Sequence, residues 1–486
     1  MVDILFVAQP RLNGIPAPKE IDCSNPQKDY IIQPLGIAYL TSAARDSGCS
    51  VALVDLNVID KDYDYLEPII QKEKPKLIVG GYTTASMYVD MKLGELAKKY
   101  NIPFGIWGNQ PSSLRERLFS EFKLDFIIEN EPEMTMKEIA ENLKNGKKNI
   151  FAKVKGLSYK EKGKVIFNDY RKLEPNLDSL PIPAYDLLPL DKYRIPYNRR
   201  LPMTLMRTSR GCIAKCSFCV IGGQIDYRRG YGSIWRAYSP ERALKEIELV
   251  VKKYGIKEID FFDSEFTINK QRVIDICKGI IERKLNVIWN CNARVDMVDE
   301  EMLNWMKKAG CFGIGFGVET ADKKILENCK KNITLEQVEK AIQMVKKAGI
   351  SPALYFMIGL PGETEETIKK TISFAKRLAI QYNLRPQCTM ATPYPGTVFY
   401  EMAEKNKWIK EDVDQLEQTT ASIAYPNLSQ EQLKYWHAQF YKQVVLNPRR
   451  LFLRVLRIRH INEVKSIPIH LRDFLYGLSN KMKYVR

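Results

Sequence analysis

Histidine is almost missing from this chain: its 486 residues hold three, His437, His460 and His470, all in the last fifty. Everything before residue 437 is thereby closed to a histidine-centred metal site or acid–base pair. Long apolar runs are missing too. No stretch of about 18 uninterrupted apolar residues occurs, so no membrane span is predicted. The opening MVDILFVAQP lacks the basic head of a signal peptide and reads as the first, buried strand of a parallel sheet. No G-x-G-x-x-G follows that strand, which disfavours a dinucleotide ligand. The ten cysteines show no disulfide framework, and a chain this long needs none. Unpaired thiols predict a reducing cytoplasm, with a peripheral membrane contact as the one variant considered below.

The composition is otherwise that of a water-exposed globular protein, 45% hydrophobic and 27% charged, with room for two or three domains. The net charge of +17 is unevenly placed: residues 441–486 carry eleven Lys/Arg against Glu463 and Asp473. A nucleic-acid binder spreads basic and stacking aromatic residues along a groove, so no nucleic-acid partner is expected.

The densest chemical signal is RTSRGCIAKCSFC (207–219), where Cys212, Cys216 and Cys219 are spaced C-x3-C-x2-C. Structural zinc takes four ligands, usually in paired C-x2-C knuckles, and no second knuckle follows. A [4Fe–4S] cluster also takes thiolates, and three of them would leave one iron open. With the aromatic Phe218 before its last cysteine, this motif resembles the signature of radical S-adenosylmethionine enzymes. The resemblance implies a cluster on Cys212, Cys216 and Cys219 whose open iron chelates the methionine part of S-adenosylmethionine. One electron then releases a 5′-deoxyadenosyl radical, so an external donor such as ferredoxin or flavodoxin is implied.

Residues 1–140 alternate short apolar runs (3–8, 50–56, 76–82, 103–108, 124–130) with helical stretches, which predicts a Rossmann-like doubly wound sheet. Its ligand edge would carry GGYTTAS (80–86) and GNQPSS (108–113). The order of elements and the strings QPLGIAYLTSAARDSG, GGYTTAS, WGNQPSS and DFIIENEPE resemble the cobalamin-binding domain that precedes the radical domain in one large subgroup. On that resemblance Pro34, Leu35, Gly36, Gly80, Gly81, Thr83, Thr84 and Gly108 are the cobalamin-side candidates. The D-x-H-x-x-G motif that places a histidine below cobalt is absent, so either cobalt has no protein imidazole or the domain has lost its cofactor. Residues 141–200 read as a connector containing a hairpin at GLSYKEKGKVIFNDY.

From 201 to 400 a second alternation predicts six strands of a partial (β/α)6 TIM-type barrel, with active groups at the strands' carboxyl ends. Asp263 and Glu265 end the second strand, and the resemblance gives that segment the ammonium of S-adenosylmethionine. Asn292 and Arg294 end the third; Arg294 suits either the methionine carboxylate or a bidentate pairing with Glu319. Glu319 ends the fourth as an acceptor for ribose hydroxyls. Tyr355 and Met357 divide between packing and adenine contact. The scattered remaining cysteines do not indicate a second cluster.

A basic helical region is expected over 401–486. Within NPRRLFLRVLRIRH (447–460), Leu451, Val455 and Ile458 share one helical face and Arg450, Arg454 and Arg457 another, as on helices that lie on anionic membranes. The substrate is expected to be a lipid or other hydrophobic molecule ahead of a peptide or protein side chain. The activity implied is a cobalamin-dependent radical methyltransferase acting on an unactivated carbon. A radical cyclase or carbon–carbon coupling enzyme of tetrapyrrole or lipid synthesis is the alternative, followed by a non-catalytic cobalamin and iron–sulfur binding protein.

Overall fold

The computed structural model describes residues 1–12, 14–17, 19, 30–108, 111–221, 234–416 and 418–450. Two sheets organise it, as the sequence predicts. The first comprises β1 (Ile4–Ala8), β2 (Val51–Asp55), β3 (Leu77–Tyr82), β4 (Phe104–Gly108), β5 (Phe126–Ile128), β6 (Leu157–Glu161) and β7 (Lys164–Phe167), in the order β2-β1-β3-β4-β5-β6-β7. Every residue of β1 is buried, because helices cover both faces of a parallel sheet. Leu5 and Val7 enter one helix layer while Ile4 and Phe6 enter the other. The hairpin β6–β7 lies within the expected connector, yet it pairs antiparallel onto β5 and lengthens the first sheet.

The chain then forms β8 (Met203–Met206) and a short antiparallel ladder of β9 (Ser209–Arg210) with β10 (Arg236–Ala237). Five more strands follow: β11 (Glu258–Phe261), β12 (Ile288–Ala293), β13 (Cys311–Glu319), β14 (Ser351–Ile358) and β15 (Gln387–Met390). With β8 they form a six-stranded, wholly parallel sheet in the order β15-β14-β13-β12-β11-β8. Its outward face packs Ile259, Phe261, Trp289, Ile314 and Phe316 under amphipathic helices, each such side chain contributing about 1.5–3 kcal/mol on burial. Those helices start where the sequence supplies side-chain caps: Ser239, Asn269, Asp299, Thr334 and Thr364 each accept a backbone N–H from the first turn.

A sheet that stops at six strands has two bare edges, and both are covered. On β8, the amide of Gln33 acts as a strand would, donating to Leu205 O (2.9 Å) and accepting from Leu205 N (3.2 Å). On β15, the Cys388 carbonyl accepts from Tyr441 Oη (3.0 Å) and contacts His437 Nε2 (3.0 Å). His437 is therefore an edge-sealing residue from the helix Gln430–Phe440.

Arg450, expected on a solvated basic face, is buried: its guanidinium donates to the carbonyls of Leu384 and Val445, both at 2.6 Å. Helical periodicity assigned it to water, but free carbonyls at the end of a neighbouring helix and turn capture it. The remainder of that stripe, from Leu451 on, lies outside the described residues. Among the described residues no helix is long and apolar enough to cross a membrane.

Candidate active site

The cysteine loop leaves the barrel after β9 and is fixed from both sides. Before it, Asp263 accepts from Thr208 N (3.1 Å), from Thr208 Oγ1 (3.0 Å) and from Ser209 Oγ. Asp263 thus braces the loop's entry, at the start of the segment expected to meet the ammonium group. Within the loop, Ser217 N donates to Cys329 O and Phe399 N donates to Ser217 O, both at 3.0 Å. Gly211 turns the chain at φ +83°, and a Cβ there would overlap the Ile234 carbonyl oxygen. Gly211→Ala is therefore expected to lose most bound iron after reconstitution, while far-ultraviolet circular dichroism holds; iron content near that of the parent would contradict this.

The three thiols stand in a polar surround suited to thiolate ligands. Cys212 Sγ accepts Ala214 N–H and Cys219 Sγ accepts Ile221 N–H, both at 3.4 Å. Burial pushes Cys212 up and Cys216 to about 12, against the pull of Lys331 on Cys216. A buried thiol of this kind stays protonated until a metal supplies the compensating charge, so iron loading must release protons. Among the described residues no group of three His, Cys, Asp or Glu side chains is arranged to hold one metal ion. A cubane cluster makes a different demand, since each thiolate meets its own iron. Every described cysteine is a free thiol.

Glu265, Arg294 and Glu319, from the ends of their strands, gather around these thiols. Their pairings differ from expectation. Arg294 makes its bidentate contact with Asp296 (2.9 and 3.0 Å), and Glu319 binds Lys331 Nζ at 2.7 Å. Although burial works against its charge, Glu319 and the Cys216 thiol hold Lys331 above the ordinary lysine range. Glu265 accepts from Thr267 N (3.0 Å) and Thr267 Oγ1 (2.5 Å), and burial raises it to about 7. Glu319 sits at φ +68° and folds its carboxylate over Gly317, where a Cβ would overlap it. Two cations beside Cys216 make this corner attractive to an anion, as a thiolate cluster or a ligand carboxylate requires. Phe218 packs on the barrel core, Met357 is buried within that core, and Asn292 and Tyr355 line the barrel's inner face.

The first sheet's carboxyl edge faces this site: a Cβ on Gly396, in the loop after β15, would overlap Ser113 Oγ. Of the candidates there, Pro34 precedes the helix Leu35–Asp46, Leu35 is fully buried, and Gly36 lies flat against the Trp107 ring. Thr83 is held inside, with its N–H on Asp90 (3.0 Å) and its hydroxyl on Ser86 (2.6 Å); Thr84 is fully buried. Gly80 packs toward Phe104 and Leu93, Gly81 toward Gln9, and Gly108 against the Tyr82 backbone.

Sequence reasoning missed the link between the two sheets. Glu133 pairs with Arg210 (Oε2 to Nη1 2.9 Å) and Glu131 with Arg236 (Oε2 to Nη1 2.9 Å), all four largely buried. ENEPE thus holds the strand pair from which Cys212 departs. The carboxylate run itself was the available signal.

Residues 206–375 match the model of the Radical SAM superfamily. A Pyrococcus horikoshii protein named as an uncharacterized methyltransferase is 38% identical over 376 residues, covering 77% of this chain and 79% of that one. The chain belongs to the radical S-adenosylmethionine superfamily. A radical S-adenosylmethionine fold therefore accounts for the cysteine loop, and membership implies the [4Fe–4S] cluster and S-adenosylmethionine that the thiols and cations fit. An anaerobic magnesium-protoporphyrin IX monomethyl ester cyclase of Rubrivivax gelatinosus is 29% identical over 392 residues, with 76% of this chain and 66% of that one covered. In fold, the radical methyltransferase TsrM of Kitasatospora setae superposes with a TM-score of 0.65 at 17% identity, over 84% of this chain and 77% of that one. The cobalamin-dependent radical enzyme OxsB superposes at 0.64 with 20% identity, over 93% of this chain and 61% of that one. A superposition over 93% of this chain takes in residues of both sheets.

Proposed function

We propose that the chain is a cobalamin-dependent radical methyltransferase that methylates an unactivated carbon. The observation carrying this is the apposition of two carboxyl edges, Ser113 at the start of the helix after β4 against Gly396 in the loop after β15, with the cysteine loop on the barrel side. The fold shared with two cobalamin-dependent or methyltransferase structures and the relative named as a methyltransferase support it. When bound, the cluster supplies the electron that cleaves S-adenosylmethionine, and cobalamin carries the methyl group. The chain's own residues hold and orient: Cys212, Cys216 and Cys219 bind iron, Arg294 and Lys331 offset its thiolates' charge, and Glu319 restrains Lys331.

Anaerobic reconstitution with cobalamin titration and mass spectrometry of the nucleoside products tests it. Methylation yields both 5′-deoxyadenosine and S-adenosylhomocysteine. A cyclase, the reading favoured by the Rubrivivax relative, yields no S-adenosylhomocysteine. Cobalamin is expected to bind without a protein imidazole, because His437 Nε2 is committed to the Cys388 carbonyl. Paramagnetic resonance of the cob(II)alamin form should lack nitrogen coupling from the protein; coupling that disappears in a His437→Ala variant would sink this.

A further inference from the structure

The barrel's inner face carries polar side chains that the described residues leave unsatisfied. On β11, Ile259 and Phe261 turn outward to the helices, so Asp260 between them turns inward. Register sets Asp260 beside Asn290, Asn290 beside Gly313, and Asn292 beside Gly315. On the far side Gly317 pairs with Tyr355. Three glycines of β13 therefore form a floor between Asn292 and Tyr355. A Cβ on Gly315 would overlap Asn292 Oδ1 and lie 2.7 Å from Tyr355 Cε2, so both side chains lean over that floor.

Among the described residues Asp260, Asn290, Asn292 and Tyr355 make no side-chain hydrogen bond or ion pair. Their carboxylate neighbours differ. Glu258 is taken by Asn198 (2.8 Å) and by the N–H groups of Arg199 and Arg200 (2.7 Å each), and Asp263 by Thr208 and Ser209. Tyr197, half exposed, stands close enough to Asp260 and Tyr355 for both to act on its hydroxyl. Burial, with the charge of Glu258, raises Asp260 to about 7. Asp260 is only partly buried, and no side chain among the described residues hydrogen-bonds it, so its carboxylate is open to a donor brought in by a ligand.

We propose that Asp260, Asn290 and Tyr355 recognise the substrate, and that the group they take is a planar nitrogen group bearing N–H donors, such as an amidinium, a guanidinium or a ring N–H. A carboxylate can only accept once ionised, and the phenol rings of Tyr197 and Tyr355 favour a flat or cationic partner. A lipid chain would leave all these groups unpaired, and an anionic group would meet Asp260 with like charge. The inference rests on the reading of the chain as a radical enzyme whose substrate enters the barrel.

Ligand-observed nuclear magnetic resonance on reconstituted holoenzyme with S-adenosylmethionine tests it, using benzamidine, benzoate and octanoate as probes. Benzamidine is expected to bind about tenfold or more tightly than either anion, and Asp260→Asn to weaken it about tenfold. Iron content and S-adenosylmethionine affinity should match the parent in that variant. Should Asp260→Asn lose its iron, Tyr355→Phe carries the test with an expected weakening of severalfold. Equal binding of benzoate or octanoate overturns the assignment, as does full benzamidine affinity in the variant that folds. Nucleoside products are measured separately on the parent protein: their absence alongside Asp260-dependent benzamidine binding removes the enzyme reading and leaves the recognition set standing.

Discussion

Replacing Cys212, Cys216 and Cys219 together by alanine is expected to take reconstituted iron from about four atoms per chain to almost none, and to abolish cleavage of S-adenosylmethionine. The fold should survive. Cys212 and Cys219 are only partly buried, and the loop is tied down through backbone groups, Ser217 N to Cys329 O and Phe399 N to Ser217 O, that alanine retains. Iron analysis with a thermal melt separates the two effects. Retention of about four irons by the triple variant would place the cluster elsewhere, and the first candidate would involve Cys329, whose carbonyl already touches the loop. About eight irons in the parent protein would reveal a second cluster.

The other large effect belongs to the link between the sheets. Glu133 and Arg210 are 3% and 8% exposed, so removing one leaves the other's charge buried without its main partner. Glu133→Ala is expected to destabilise the protein by about 3–5 kcal/mol in denaturant unfolding, whereas exposed pairs such as Lys323–Glu327 contribute about 0–1 kcal/mol. It should also lower iron occupancy, because Arg210 directly precedes Gly211 and Cys212. The double change Glu133→Met with Arg210→Met should recover much of the loss, since it buries no unpaired charge. A single variant within about 1 kcal/mol of the parent would show that water reaches the pair.

The strands were legible because each side chain on β1 is buried in one layer or another, and a run such as ILFVA has no alternative use. The cluster ligands were legible because their spacing is local. What stayed hidden depends on distant partners. Nothing in the sequence near Glu319 says that Lys331, twelve residues on, will outcompete Arg294, or that Arg294 will turn to its neighbour Asp296. A hairpin does not carry the identity of the strand it joins, so β6–β7 read as part of a connector. Asp260 is a residue the sequence does not single out; only the register across β12 to β14 shows that it shares a surface with Asn290 and Tyr355. Arg450 fitted a periodic stripe that two carbonyls overrode.

Gln33 has a consequence for how this protein can be taken apart. A side-chain amide from the first sheet's territory finishes the hydrogen bonding of β8, the first strand of the other sheet. Cutting between them would bare a ready template for strand addition on the very segment that leads into the cysteine loop. The half-barrel is thus not a cassette that could be inherited, swapped or expressed by itself with its edge intact. Any recombination that brought it a new partner had to bring a replacement for that single amide as well.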